Sequence, residues 1–172
     1  MTIRTRTTLA TLVVLAVATA AAVAQQPAAP APAAPPTTPY GAPIGLEAAK
    51  KVMAAAEAES AKNNWGMAIT ILDTTGHIVM LHRMDNTQLG SIGVSEDKAR
   101  SALYFRRPTK VFEDTVAGGG IGLRTLALRN ASPVVGGIPL VVDGKIVGAI
   151  GVSGAAAPQD GQVAKAGADA LK

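Results

Sequence analysis

The feature that most restricts the fold of this chain is a β-hairpin signal near its carboxyl end. Two runs rich in Val, Ile and Leu, residues 137–142 and 145–152, are separated only by Asp143 and Gly144. Asp-Gly between two apolar runs is a strong signal for a two-residue turn, because both turn positions need a positive φ. The sequence therefore predicts two adjacent antiparallel strands here.

Three residues within this hairpin carry further information. Pro139 has no amide hydrogen, so its strand is expected at an edge of the sheet or at a bulge. Gly148 and Gly151 leave the second strand without side chains at two points, which permits close approach by a helix, a ligand or another subunit. We expect a closed homo-oligomer, since an edge strand with proline resists uncontrolled pairing.

Helices and a second hairpin are predicted over the rest of the folded region. Apolar residues at helical spacing, with charges on the other side, predict a first helix that starts near Leu46 and ends at Asn63. The other predicted elements are strands at 67–72 and 77–82, helices at 94–107, 109–116 and 160–171, and a glycine-rich hinge at 118–122. This order predicts an α+β domain in which helices pack against an antiparallel sheet.

The amino-terminal residues are typical of a signal peptide. Arg4 and Arg6 precede an apolar run at 9–23, and the small residues before Gln25 match a cleavage site. We expect cleavage of residues 1–24, no integral membrane segment afterwards, and a periplasmic or secreted protein. Residues 25–43 are almost entirely Ala, Pro, Gln and Thr, which predicts a disordered linker. Residues 44–172 then form the folded domain.

Composition excludes several classes of function. The chain has no Cys, so a disulfide framework and a thiol nucleophile are excluded. Cleavage of 24 residues leaves 148, with 14 basic and 12 acidic side chains, and aromatic residues make up only 3% of the chain. We therefore expect no nucleic-acid partner, which would need clustered cations and stacking rings. No Ser-His-Asp or HExxH pattern is present, so an enzyme would need a bound cofactor.

A candidate metal site lies on the strand at 77–82 and just after it. Alternation along a strand places Met80, His82 and Met84 on one face, whereas His77 points to the other. Thioether and imidazole groups suit Cu(I), or an axial position on haem iron. The alternative is that Met80 fills core space and His82 satisfies a hydrogen bond at the strand end.

A basic cluster is predicted towards the end of the second helix, formed by Lys98, Arg100, Arg106 and Arg107 beside the aromatic Phe105. Arginine forks fit carboxylates, and a charge-assisted hydrogen bond contributes roughly 1.5–3 kcal/mol. The cluster could therefore hold the acid groups of an apolar ligand. Alternatively, the arginines only stabilise a helix terminus, which is worth ~0.3–1 kcal/mol.

Two glycine-rich motifs are specific in combination, Gly136-Gly-Ile-Pro-Leu-Val-Val-Asp-Gly144 and Gly148-Ala-Ile-Gly-Val-Ser-Gly154. Together with shorter motifs upstream, such as Asp73-Thr-Thr-Gly-His77 and Lys98-Ala-Arg100, they span about residues 44–171. This set resembles the GlcG/HbpS family of haem-binding proteins. The resemblance implies a profilin-like α+β fold with a central antiparallel sheet flanked by helices, symmetric oligomers and tetrapyrrole binding.

The resemblance also implies a location for the ligand, at the same helix end that the charges indicate. The implied cofactor is haem, and the implied binding residues are Lys98, Arg100, Phe105, Arg106, Arg107 and Thr109. The expected function is an exported protein that holds an apolar carboxylated ligand. The alternatives are a cofactor-dependent enzyme that degrades haem or acts on a small organic acid, and a periplasmic metal-binding protein.

Overall fold

A computed structural model describes residues 37–172 as a sheet with helices on both faces. In chain order the elements are α1 (Leu46–Lys62), β1 (Ala68–Asp73), β2 (Ile78–Arg83), α2 (Gly90–Phe105), α3 (Lys110–Ala117), a 3-10 segment (Gly120–Ala127), β3 (Gly137–Val142), β4 (Lys145–Ser153) and α4 (Ala157–Asp169). The predicted signal peptide and the linker up to residue 36 lie outside the described residues. None of the described helices has the length and apolar character needed to cross a bilayer.

The four strands form one antiparallel sheet in the order β2-β1-β4-β3. The predicted α+β fold with a central antiparallel sheet is therefore confirmed. Both hairpins lie where the turn residues predict them, and β3, which contains Pro139, is an edge strand. The second hairpin brings β4 into the centre of the sheet, next to β1.

Side-chain alternation divides the core between the two faces of the sheet. The face covered by α1 and α4 buries the larger cluster of apolar side chains, among them Val52, Ile69, Ile150 and Val163. The face covered by α2 has a smaller core, formed by Leu72, Ala99, Ala102, Leu103, Ile146 and Ala149. Because half of these side chains are those of alanine, α2 lies close to the strands.

α2 approaches the sheet closely at Gly151. A Cβ atom at this position would lie 2.0 Å from the carbonyl oxygen of Ser95 and 2.4 Å from the amide nitrogen of Ala99. The predicted close approach at Gly151 is therefore confirmed, and the approaching element is α2 of the same chain. Nearby, the hydroxyl groups of Thr70 and Ser95 lie 2.7 Å apart and form a buried hydrogen bond between α2 and the sheet.

Two predicted boundaries of the second helix are wrong. The helix starts at Gly90 rather than residue 94, although glycine favours helices only weakly. It ends at Phe105, because Arg106 adopts a left-handed conformation with φ 53° and closes the helix. The amide groups of Arg106 and Arg107 donate to the carbonyl groups of Leu103 and Ala102, so neither arginine lies in the last helical turn.

The described fold also begins earlier than predicted. Ile146 donates its amide to the carbonyl oxygen of Pro39 at 2.8 Å, and Gly41 donates to the carbonyl oxygen of Ile146 at 2.7 Å. Ile44 donates to Val147 at 2.7 Å. The last residues of the predicted linker therefore pair with β4 and belong to the fold.

Replacing Gly151 with Ala is expected to destabilise the protein. The added methyl group would overlap the backbone of α2, which cannot move without separating the helix from the sheet. Overpacking of this kind typically costs about 1–3 kcal/mol. The measurement is the free energy of unfolding in urea. The matched control is Gly93→Ala on α2, where a Cβ meets no atom within 4 Å and a small stabilisation is expected. Equal urea midpoints for Gly151→Ala and the wild type would contradict this account of the packing.

Candidate functional site: a cavity beside the edge strand

A cavity of about 520 Å³ lies where α3, β3 and α4 begin. This volume is within the range of small-molecule sites, roughly 300–1,000 Å³. The lining residues are Pro108, Lys110, Glu113, Val135, Gly136, Gly137, Ile138, Pro158, Gly161, Gln162 and Lys165. Most of these contribute apolar or backbone surface, whereas the two lysines come from exposed positions on the two helices and Glu113 is partly buried.

A pair of glycines forms the wall of the cavity on the side of β3. Gly136 has φ 129°, which favours glycine, and a Cβ there would lie 2.5 Å from the carbonyl oxygen of Val152. A Cβ at Gly137 would lie 2.2 Å from the carbonyl oxygen of Lys98. No other residue type fits this wall, because the backbone of α2 and β4 lies directly behind it.

The start of α3 holds this wall through two side chains. The amide of Thr109 donates to the carbonyl oxygen of Gly137 at 3.0 Å, and the amide of Gly137 donates to the Thr109 hydroxyl oxygen at 2.9 Å. One turn later, the carboxylate of Glu113 accepts a hydrogen bond from the amide of Val135 at 2.8 Å. Thr109 and Glu113 therefore fix the backbone of the wall against α3.

A buried ion pair lies behind the same wall. The Lys98 ammonium donates to the Asp160 carboxylate at 2.7 Å and to the carbonyl oxygen of Val152 at 3.0 Å. The side chains are 1% and 4% exposed. Asp160 also accepts a hydrogen bond from the backbone amide of Ala155 at 3.1 Å. Burial raises the pKa of the Asp160 carboxyl, although the hydrogen bond from Lys98 opposes this shift.

Two exposed lysines supply positive charge at the cavity. Lys110 donates to Asp114 at 2.7 Å, and this hydrogen bond raises the pKa of Lys110. Lys165 donates to Asp169, and this bond lowers the pKa of the Asp169 carboxyl. Both lysine side chains are 60% or more exposed. They can therefore exchange an aspartate for an acid group of a ligand without losing a buried contact.

None of the six predicted ligand-binding residues lines the cavity. Lys98 and Thr109 are buried, and their polar atoms are used by Asp160 and Gly137. Arg100 is partly exposed on α2 and does not line the cavity. Lys98 and Thr109 contribute to the site from behind, by holding the wall, rather than by facing a ligand.

The two predicted arginines contact aromatic rings. The Arg106 guanidinium lies 5.5 Å from the centre of the Tyr40 ring, and the Arg107 guanidinium lies 5.7 Å from that of Phe112. Arg107 also donates to the carbonyl oxygen of Phe105, whose own ring packs edge-on against Phe112. Neither guanidinium lines the cavity, although Pro108, the next residue, does.

The candidate metal residues lie on and just after β2, at the other edge of the sheet. The ring of His82 hydrogen-bonds to Glu57 on α1, and Met80 and Met84 pack against the core beneath α1. Within residues 37–172, no three His, Asp or Glu side chains come together as a metal-binding group. The observed contacts of Met80 and His82 are those of the alternative interpretation. Copper binding at these residues stays a prediction.

Sequence reasoning missed the residues that line the cavity on α3 and α4. Lys110 and Lys165 each precede an aspartate by four residues, which is the ordinary pattern of a solvated helix surface. One signal was present in the sequence. The consecutive Gly136 and Gly137 before a strand indicate a backbone that something approaches closely.

Comparisons with known proteins agree with the resemblance found in the sequence. A family model described as "Haem degrading protein HbpS-like" matches residues 44–169. Protein GlcG of Escherichia coli K12 is 42% identical over 110 residues, which cover 64% of this chain and 81% of GlcG. The crystal structure of Klebsiella pneumoniae protein ORFY is similar with a TM-score of 0.69 and 28% identity, covering 76% of this chain and 92% of ORFY. A double mutant of Streptomyces reticuli HbpS has the same score and identity, with 82% and 99% covered.

Replacing Asp160 with Asn is expected to reduce the free energy of unfolding by about 3–5 kcal/mol, because it leaves the buried Lys98 ammonium without a counter-charge. Chemical denaturation measures the loss. The control is Asp169→Asn, which removes a partly exposed carboxylate and should have a much smaller effect. The double variant Lys98→Met with Asp160→Leu should be more stable than Asp160→Asn. If Asp160→Asn is as stable as the wild type, the account of the buried ion pair is wrong.

Proposed function

Because the chain belongs to the HbpS-like family, we propose that it binds haem or a related tetrapyrrole in the cavity beside β3. The observation that carries this proposal is an apolar cavity with two lysine ammonium groups on its lining. A tetrapyrrole with acid side chains presents the complementary chemistry, a broad apolar face and peripheral carboxylates. All residues that line the cavity lie inside the part of the chain that matches the family.

The lining fits the organic part of haem. Val135, Ile138 and Pro158 offer apolar surface to a flat ring, and the glycine wall lets the ring approach the backbone. Lys110 and Lys165 would meet the propionates. We therefore assign to these lysines the role that was predicted for Arg106 and Arg107. Bound haem would supply redox chemistry that the side chains of the cavity lack.

Apolar contact is expected to dominate the affinity. Each Å² of apolar surface removed from water contributes roughly 25 cal/mol, so a ring that buries one face is bound mainly by this effect. Exposed lysines contribute less, because water and salt screen their charge. The lysines would orient the ligand with its acid groups towards solvent, rather than supply most of the binding.

A second candidate is the haem-degrading activity named in the description of the family. In this alternative the protein holds haem while reductant and oxygen destroy the ring. Incubation of the haem complex with ascorbate in air tests it by absorption spectroscopy. A Soret band that persists for hours would leave only the binding function.

We also propose that the protein is exported and assembles with copies of itself. The pattern of residues 1–24 supports export, and a mature protein that starts at Gln25 would be seen by mass spectrometry. Four apolar side chains of the 3-10 segment and the residue after it support assembly, since Ile121, Leu123, Leu126 and Leu128 are 46–76% exposed.

Assembly is expected to depend on these exposed side chains. Ile121→Ser combined with Leu126→Ser should shift the protein to a smaller species in gel filtration, because the change removes apolar surface available to a second copy. The fold should be retained, since neither side chain is buried. A monomer peak for the wild type at high concentration would contradict the proposal.

Filling the cavity is expected to weaken haem binding. Gly161 lines the cavity, and a Cβ there would lie 2.4 Å from a Val135 methyl group, so Gly161→Leu would occupy ligand space. A hemin titration followed at the Soret band should show at least about a tenfold loss of affinity. The matched control is Gly93→Leu, also a helical glycine but with open space around it. Saturable binding that is equal in both variants would place the ligand elsewhere.

A further inference from the structure

We propose that the cavity recognises the macrocycle and its acid groups without a protein ligand to the metal, so that a metal-free tetrapyrrole binds as tightly as haem. This inference rests on the proposed function and specifies the class of ligand. It follows from the positions of the potential metal ligands in residues 37–172.

The lining of the cavity lacks the usual donors to haem iron. Those donors are His, Met, Tyr and the Cys thiolate. None of the eleven lining residues is of these types, and the chain contains no Cys at all. The macrocycle therefore fits the cavity, whereas the iron finds no conventional ligand there.

Both histidines of the chain lie at the far side of the sheet. His77 directly precedes β2 and His82 is within it, whereas the cavity is beside β3, and the strand order is β2-β1-β4-β3. Neighbouring strands are about 4.8 Å apart, so the two edges are separated by roughly 14 Å. Each imidazole also has a partner already, Thr75 for His77 at 2.7 Å and Glu57 for His82.

The tyrosines and the described methionines are also engaged elsewhere. Tyr40 donates its hydroxyl to the carbonyl oxygen of Leu103 at 2.8 Å, and the Tyr104 hydroxyl lies against Gly76 in the turn between β1 and β2. The described methionines, Met53, Met67, Met80 and Met84, all belong to or pack against the core on the α1 side. None of these side chains lines the cavity.

The charged groups of the cavity are poor substitutes. Lys110 and Lys165 are ion-paired with aspartates, and a protonated amine has no lone pair to offer a metal. The Glu113 carboxylate is the one anionic donor in the lining, and it already holds the amide of Val135 in the cavity wall. The polar groups of the cavity are therefore suited to carboxylates and not to iron.

Calorimetric titration of the purified protein with hemin and with metal-free protoporphyrin IX tests the inference. The two dissociation constants should agree within about threefold, because both ligands make the same apolar and acid contacts. Protoporphyrin dimethyl ester should bind about three- to tenfold more weakly, since it cannot pair with the lysines.

Matched variants identify the groups responsible. Lys110→Ala combined with Lys165→Ala should weaken binding of both acids several-fold and leave binding of the ester unchanged. The control is Lys50→Ala, which removes another exposed, ion-paired lysine that is not part of the lining of the cavity. His77→Ala combined with His82→Ala should leave the affinity for hemin and its absorption spectrum unchanged.

Two results would overturn the inference while leaving the proposed function intact. One is hemin binding that is at least tenfold tighter than binding of the metal-free ring. The other is a loss of hemin affinity in the double histidine variant, which would show imidazole ligation, including ligation from a second copy. If neither hemin nor the metal-free ring binds, the proposed function fails and this inference fails with it.

Discussion

The geometry of the cavity depends on one buried contact, the ion pair between Lys98 and Asp160. Lys98 belongs to α2 and Asp160 to α4, and these helices cover opposite faces of the sheet. The pair therefore joins the two outer layers past the end of β4. Removing two charges from water costs several kcal/mol per ion, so the arrangement persists only with good hydrogen bonds. Asp160 meets this condition through Lys98 and the amide of Ala155.

The tight packing at this contact determines the chemistry of the wall in front of it. Gly136 lies against both members of the pair, and Gly137 lies against the backbone of α2. Since no side chain fits, the wall exposes bare backbone, and Thr109 holds that backbone from α3. The cavity is thus formed before any ligand arrives, which reduces the entropy lost on binding. Its apolar surface and peripheral lysines then favour a flat ring with acid groups at its rim.

The fold could largely be predicted from the sequence, whereas the site could be predicted only in part. Turn residues such as Asp143 and Gly144 act locally, so both hairpins were predicted where they occur. Lys98 was predicted to bind a ligand, but it is buried in the ion pair with Asp160. Burial depends on three-dimensional packing, which a sequence does not show. Arg106 ends α2 in a left-handed conformation, which helix propensity does not predict for arginine. The lysines of the cavity were missed because their sequence pattern is that of any solvated helix.

The central claim is that a tetrapyrrole binds against the glycine wall between α3 and α4. The most direct test is a map of backbone amide chemical shifts recorded with and without metal-free protoporphyrin IX, which avoids paramagnetic broadening. The account predicts that the largest changes fall on residues 135–138 and 158–165. Changes centred on β2, near His77 and His82, with the cavity residues unaffected, would contradict it.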